Sequence, residues 1–392
     1  MPDLASWLAY QQDLHNAEID LGLERVRSVF AALGLRLPSQ IVIVAGTNGK
    51  GSCVHALDAL AQAAGKRTLR YTSPHLYRYN ERICVDGAPV SDESLCTAFA
   101  AIEAARGQTP LTFFEFGTLA ALYIAAQLRP DVVLLEVGLG GRLDATNIVD
   151  ADAAILCSLG LDHQEWLGHS LDLIAKEKAG VCRRARPVVV ADPQTWEYYA
   201  PSIHAIQAGP VWLAGRDYAL RSEGDLPHLS LGAAVCAADV LGWRLSSAQV
   251  EDVFSRLSIP GRMEIRSRDY GELVLDVAHN LEAVQRLLER LRHRPDMPTW
   301  VICGVQADKD VAAMLPALTA QAEQVFLTDL PAPRGSLAED LRLHCAEGVP
   351  VRCFAHPQQA LSAAESAAHA HPQPLRIIMC GSFVTLGMSG LG

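Results

Sequence analysis

The sequence predicts an α/β protein of two domains, each built on a mostly parallel sheet, and three observations carry that reading. The run Ile41-Val42-Ile43-Val44-Ala45 is short, apolar and β-branched, as a central parallel strand should be, and residues 53–64 have the alanine and leucine content of a helix. Between them lies Gly46-Thr47-Asn48-Gly49-Lys50-Gly51-Ser52, a glycine-rich strand-to-helix turn. Further apolar runs then alternate with helical stretches, the βαβ order of a parallel sheet. Finally, Ile259-Pro260-Gly261-Arg262 interrupts the pattern, and the alternation restarts behind it. At 392 residues the chain exceeds the roughly 250–300 at which one core stops growing. The break therefore reads as a linker, with residues 1–260 forming the first domain and 261–392 a smaller, Rossmann-like one.

Taken in order, residues 4–15 are amphipathic, and a helix is expected to open at Ile19 and run to Leu33, where Gly34 stops it. Past the glycine-rich turn and its helix, the stretch 69–76 is a strand broken at Pro74, which leaves Ser73 in a loop. Residues 78–90 read as a hairpin-like connection, 92–105 as a helix and 114–128 as a strongly apolar, buried helix. The strand 131–137 carries Glu136 at its carboxyl end and runs into Gly138-Leu139-Gly140-Gly141-Arg142-Leu143-Asp144-Ala145-Thr146-Asn147. Another strand, 153–158, is followed by Asp162-His163; a helix over 171–181 holds Lys176 and Lys178; a strand covers 188–191 and two helices cover 231–257. In the second domain strands are expected at 273–277, 300–304, 324–328, 349–354 and 376–380, with helices over 280–291 and near 311–321, 336–345 and 358–368.

Composition narrows the function. Half of the residues are apolar and a fifth charged, enough for packed cores, and the formal charge of −11 argues against a nucleic-acid partner, which needs a basic face. Ten cysteines are scattered without a C-x-x-C pair, and Met-Pro-Asp-Leu is not the basic start of a signal peptide. A reduced, cytoplasmic protein is expected. No apolar run approaches the ~18 residues of a membrane span, so no membrane partner is expected either.

The glycine-rich turn is a phosphate-site candidate. Its backbone N–H groups can curl inward, the helix N-terminus adds partial positive charge, Lys50 can reach β- and γ-phosphates, and Ser52 can hold magnesium. It is a variant loop, because the general pattern has glycine at Val44 and a hydroxyl residue at Gly51. The plainer alternative is a βα turn with a solvated lysine. Glu136, at a strand end, suits the magnesium of a bound nucleotide or a water on it; its alternative is a rim pair with Arg142. Ser73 and His163 could complete a metal site, although a histidine near a strand end is often structural. Lys176 and Lys178 point in different directions, so one of them should be solvated. The other is either a cation near phosphates or an amine that forms a carbamate with carbon dioxide. Asp276 could take a ribose hydroxyl or an adenine-side contact, or cap a helix near Asn280. Arg262 could reach phosphate or make an ion pair at the domain boundary.

Taken together, Gly46 to Ser52, Thr72-Ser73-Pro74-His75-Leu76, Leu135 to Asn147, Leu161-Asp162-His163, Glu177-Lys178-Ala179-Gly180, Pro260-Gly261-Arg262, Asp276 to Asn280 and Cys380-Gly381-Ser382-Phe383 resemble the folylpolyglutamate synthase and dihydrofolate synthase family, which belongs with the Mur ligases. The matches run in order over nearly the whole chain. The resemblance implies a P-loop-containing, Mur-ligase-like first domain and a second domain that closes over glutamate. It implies that Thr47, Asn48, Gly49 and Lys50, with Gly51 and Ser52 beside them, cradle ATP. Ser73 and Glu136 would hold one magnesium ion and His163 a second, Lys178 would be the carbamylated lysine, and Arg262 and Asp276 would contact ATP. Ile19, Asp20, Leu21 and Gly22, with Thr112, Phe113, Phe114 and Glu115 and with Leu143, Asp144 and Ala145, resemble the segments that bind the pterin substrate. There Phe114 offers a ring face and Asp144 or Asp20 an acceptor for ring N–H groups; alternatively Phe114 only packs in its helix. Two positions depart from the family, Gly232 where an asparagine usually opens an alanine-rich helix and Val384 where a histidine often follows Gly-Ser-Phe.

The implied chemistry is ATP-dependent amide formation. Phosphorylation activates the carboxylate of dihydropteroate or of a folate's terminal glutamate, L-glutamate attacks the acyl phosphate, and Lys50, His163 and Lys178 are the catalytic candidates. The expected partners are small molecules only, and the expected state is a monomer. A synthase acting on folates alone, or another Mur-type ligase, is the nearest alternative. Cell-wall Mur ligases carry a UDP-binding domain ahead of the loop, whereas 45 residues precede Gly46 here. No Asn-Lys-x-Asp guanine motif supports a GTPase, and a carboxylate kinase that stops at the phosphate would differ in its need for glutamate.

Overall fold

The computed structural model describes residues 2–15, 19–37, 39–217 and 228–392. The chain divides into two compact units, Met1–His75 with Tyr79–Leu257, and Leu76–Arg78 with Ser258–Gly392.

In the first unit the strands are β1 (Gln40–Ala45), β2 (Thr68–Tyr71), β3 (Ile83–Val85), β4 (Ala88–Pro89), β5 (Val132–Glu136), β6 (Ala153–Leu156), β7 (Val188–Val190) and β8 (Val211–Leu213). Among the described residues they form one sheet in the order β4-β3-β2-β5-β1-β6-β7-β8. From β2 to β8 all pairs are parallel, and β3 and β4 add an antiparallel hairpin at one edge. β1 is central and sealed on both faces: Ile43 and Ala45 join one core, while the alternate Val42 and Val44 are equally inaccessible. That is the burial a strand with β-branched residues at four successive positions, 41–44, requires.

Around the sheet lie α1 (Leu4–Asp13), α2 (Glu24–Leu33), α3 (Lys50–Ala63), α4 (Asp92–Arg106), α5 (Phe113–Leu128), α6 (Gln164–Leu167), α7 (Leu171–Ala179), α8 (Trp196–Ile206), α9 (Ala214–Asp217), α10 (His228–Val240) and α11 (Ser247–Arg256). The apolar α5 is buried as its composition demands, and a reciprocal Thr112/Glu115 capping box starts it. One expectation is corrected. α2 opens at Glu24 and not at Ile19, because the Arg25 guanidinium binds the Asp20 carbonyl and carboxylate and so draws residues 19–23 out of the helix. Gly34 ends that helix in the left-handed region.

The second unit has β9 (Glu264–Arg268), β10 (Gly271–Leu275), β11 (Thr299–Cys303), β12 (Gln324–Thr328), β13 (Val351–Phe354) and β14 (Leu375–Cys380), ordered β13-β12-β11-β14-β10-β9 among the described residues. Only β9 is antiparallel. The helices are α12 (Leu281–Leu291), α13 (Val311–Thr319), α14 (Ala338–Arg342), α15 (Pro357–Ala368) and α16 (Phe383–Gly387). Period-two alternation divides this unit into two cores. Val274 and Val301 face Leu287 of α12 and Leu315 of α13, whereas Leu273, Leu275 and Ile302 face Ala360 and Ala364 of α15. Leu76 lies in the second of these cores, although in chain order it falls between β2 and β3. Both units are α/β with mostly parallel sheets.

Candidate active site

Because β2, β5, β1 and β6 are neighbours and run parallel, their carboxyl ends share one sheet edge, where open α/β sheets bind ligands. Register aligns them closely: Val44 pairs with Glu136, Ala45 with Leu156 and Tyr71 with Leu135. The glycine-rich turn, Ser73, Glu136, Asp144 and His163 therefore all leave the sheet on one side.

The turn is held from below by Ser158. Its carbonyl accepts the Thr47 N–H at 2.8 Å and its hydroxyl accepts the Asn48 N–H at 2.9 Å, while the Thr47 hydroxyl meets the Gly160 carbonyl. Gly46 must be glycine, since a Cβ there would lie 2.6 Å from Cys157 Cβ. Gly49 sits at φ 84°, capping α3, whose first-turn N–H groups have no partner in their own helix, the arrangement by which helix N-termini bind anions. Lys50 Nζ donates to the carbonyls of Gly46 at 3.0 Å and Thr47 at 3.2 Å, folding over the turn it belongs to.

Two features fit a divalent cation bound together with phosphate. The Ser52 hydroxyl is buried and makes no hydrogen bond, and Glu136 reaches the same helical turn, with both its oxygens 3.5 Å from where a Gly51 Cβ would stand. Gly51 thus stands in van der Waals range of Glu136, and a hydroxyl, that of Ser52, follows one residue after the position where the general pattern puts it. Glu136 also accepts the Ser73 N–H at 3.1 Å. It does not pair with Arg142, whose guanidinium binds Glu177 at 2.9 Å. Among the described residues no group of three His, Cys, Asp or Glu side chains is placed to hold a metal ion.

His163 follows β6 at φ 50°, a left-handed conformation in which its N–H binds the carboxylate of its neighbour Asp162. Lys178 is 3 % exposed, while Lys176 is exposed. The solvated member of that pair is Lys176. α7 is docked on the loop after β5: the Arg142 N–H binds the Glu177 carbonyl at 2.8 Å, and Asn147 Nδ2 binds the Gly180 carbonyl.

The three pterin-candidate segments also meet. Arg25 binds Asp20 at 2.7 Å and Glu115 at 3.2 Å, tying residues 19–22 to the cap of α5, and both α2 and α5 pack on residues 145–148. The Phe114 ring is half-buried; it lies over Gly138, where a Cβ would come within 2.7 Å, and 5.8 Å from the Tyr71 ring. It therefore lines the loop after β5 and does not simply fill its own helix. Asp144 organises the loop it stands in: its oxygens accept the N–H groups of Gly138, Leu139 and Thr146 and the Thr146 hydroxyl. Burial pushes its carboxyl above the usual range, and these bonds partly offset the shift. Asp20 is partly exposed, with His15 and Arg25 beside it.

Arg262 and Asp276 belong to the second unit. Asp276 is buried and accepts the N–H groups of Met263 and Ala278, both at 2.8 Å, which straps Gly261-Arg262-Met263 to the end of β10. Its carboxyl is raised by burial, against the pull of Arg262 and Arg290. It is not a helix cap, since Asn280 caps α12 itself. The Arg262 guanidinium rests on the Phe383 ring at 5.4 Å.

Sequence reasoning missed Ser158 and Arg25. Each acts on residues about 90 to 110 positions away; the available signal was a hydroxyl just past a strand end and a cation five residues after an aspartate.

Known proteins supply the context. The Mur ligase, glutamate ligase domain family matches residues 261–383. The dihydrofolate synthase/folylpolyglutamate synthase of Escherichia coli is 39 % identical over 402 aligned positions, covering 98 % of this chain and 94 % of that protein. Among solved structures, E. coli FolC in complex with DHPP and ADP superposes with a TM-score of 0.92 at 36 % identity, covering 98 % of this chain and 96 % of the other. The bifunctional folylpolyglutamate synthase/dihydrofolate synthase of Yersinia pestis complexed with AMPPNP and Mn ion gives 0.90 at 37 % identity, covering 99 % and 97 %. With near-complete coverage at that identity, and with the glycine-rich turn, Glu136 and the candidate pterin segments grouped as described, the chain belongs to the dihydrofolate synthase/folylpolyglutamate synthase family of Mur-type ligases.

Proposed function

We infer that the protein is an ATP-dependent carboxylate–amine ligase that adds L-glutamate to dihydropteroate, giving dihydrofolate, and to reduced folates, giving polyglutamates. One observation carries the reading: a chain related along its whole length to enzymes of that name has, at the shared sheet edge, a glycine-rich turn whose helix begins with an orphaned Ser52 hydroxyl and with Gly51 beside Glu136.

A carboxylate reacts with an amine only after one of its oxygens becomes a leaving group, and the γ-phosphoryl of ATP supplies that group. In this reading Thr47, Asn48, Gly49, Gly51 and Ser52 cradle the phosphates at the head of α3. Lys50 exchanges its bonds to the Gly46 and Thr47 carbonyls for phosphate oxygens. Magnesium held through Ser73, Glu136 and His163 supplies charge neutralisation of the transferring group. Residues 19–22, 112–115 and 143–145 hold the pterin end, with Asp144 acting through the shape of its loop. Arg262 and Asp276 are further candidates for ATP contact, and the second unit is the candidate for receiving glutamate. The protein acts as a cytoplasmic monomer, which sedimentation of the purified chain would test.

Phosphate release with ATP, magnesium and L-glutamate, measured first on dihydropteroate and then on tetrahydrofolate, tests the reading. Release on both substrates is expected. Release on tetrahydrofolate alone would leave only the polyglutamate synthase, and full release without glutamate would mark a carboxylate kinase.

A further inference from the structure

Arg82 is 9 % exposed, and its guanidinium has no carboxylate partner among the described residues. Nε donates to His75 Nδ1 at 2.8 Å, and the group lies 5.4 Å from the Tyr79 ring centroid and 5.3 Å from that of Phe113. The ring nitrogen that receives this bond acts as an acceptor and supplies no counter-charge to the guanidinium. Neither Nη nitrogen has a hydrogen-bond partner in the protein, and neither is sealed from the surface. A buried cation without a counter-charge is costly. Ring faces recover part of that cost, yet four N–H donors in a planar fork remain unused.

The location indicates what they are for. His75 lies two residues beyond Ser73, whose N–H binds Glu136 at the phosphate end of the site. Phe113 lies in the 112–115 segment assigned above to the pterin end. Arg82 thus bridges the two ends of the substrate's path, where the carboxyl group to be phosphorylated has to lie.

We propose that Arg82 binds the reacting carboxylate of the pteroyl substrate through its free Nη edge and presents it for phosphorylation. This rests on the ligase reading. A guanidinium fork matches a carboxylate in a two-bond arrangement that an ammonium cannot reproduce, and the bond to His75, with rings on its faces, keeps the fork from turning.

The test is Arg82→Met, which fills the space between the rings without charge. The expected result is a KM for dihydropteroate raised at least about tenfold, the scale of a lost charge-assisted contact, with ATP affinity within about twofold of the parent and a melting temperature equal or higher. Arg82→Lys should fall between the two. A melting temperature that drops together with the affinity for both substrates, or an unchanged KM, would show that Arg82 is only a brace. Should Arg82→Met not fold, the unmodified enzyme decides: pteroate should bind at least about tenfold more tightly than its methyl ester, and equal binding overturns the proposal. If the unmodified enzyme releases no phosphate with any pteroyl carboxylate, the ligase reading itself has failed.

Discussion

Lys50 spends its charge on two carbonyls of its own turn, a poor use of a half-buried ammonium unless phosphate replaces them. Lys50→Ala should retain the fold and lose at least ~100-fold in turnover, as when one transition-state charge contact is removed; steady-state phosphate release measures it. For Lys178, burial on a helix docked against the loop after β5 favours a structural or metal-organising role over solvation. If its amine is carbamylated, Lys178→Ala should be nearly inactive and acetate should restore part of the activity. No rescue at high acetate, together with an intact-protein mass lacking the carbamate, would count against it. His75 yields a pH prediction. Its folded value of about 4 lies below the ordinary 6.5, so the unfolded chain takes up the proton first as pH falls. The stability associated with this ring is complete above about pH 6.5 and is lost on the way down through about 4. His75→Gln should therefore melt with a flatter pH dependence across that window, in scanning calorimetry from pH 7 to pH 4.

At the scale of elements, the loop after β5 is organised by one carboxylate. Asp144→Ala removes four accepted hydrogen bonds and strands a buried N–H group at Thr146 and part-buried ones at Gly138 and Leu139. A loss of about 2–4 kcal/mol is expected from chemical denaturation, with dihydropteroate affinity falling more than ATP affinity, since the turn at 46–49 is held separately by Ser158. The elements that were legible in the sequence were those whose local pattern and tertiary role agree: β1, β5, β12 and β14 are apolar runs because both faces are covered, and α5 is apolar throughout because it is buried. β8 and β9 were not legible. β8 spans three residues, and β9 is a sheet-edge strand reading Glu-Ile-Arg-Ser-Arg, whose charges pair with neighbours rather than alternate with apolar residues. The start of α2 was misread for a related reason, because a side chain competes there for a carbonyl that a helix would use. Candidate site residues at strand ends could be read from their position after an apolar run. Their supports, Ser158, Arg25 and the His75–Arg82 pair, could not, because each is a tertiary contact made by a residue type common on any surface.

At the scale of the whole molecule, the second unit is not one continuous stretch of chain. Leu76 is 7 % exposed within its core, beside Leu273 and Leu275. Leu76→Ala should destabilise that unit by about 2–4 kcal/mol, and hydrogen exchange should locate the loss in β10 and α15 although the substitution lies near the loop after β2. A loss confined to the first unit would contradict the assignment. The same insertion has a consequence for how the protein is made. When Leu76 leaves the ribosome, the strands that will cover it are still some three hundred residues from completion, which at roughly 5–20 residues per second is tens of seconds of synthesis. Until then the nascent chain carries an uncovered apolar hook beside the loop that bears Ser73, a ready landing point for a chaperone and a vulnerable place to stall.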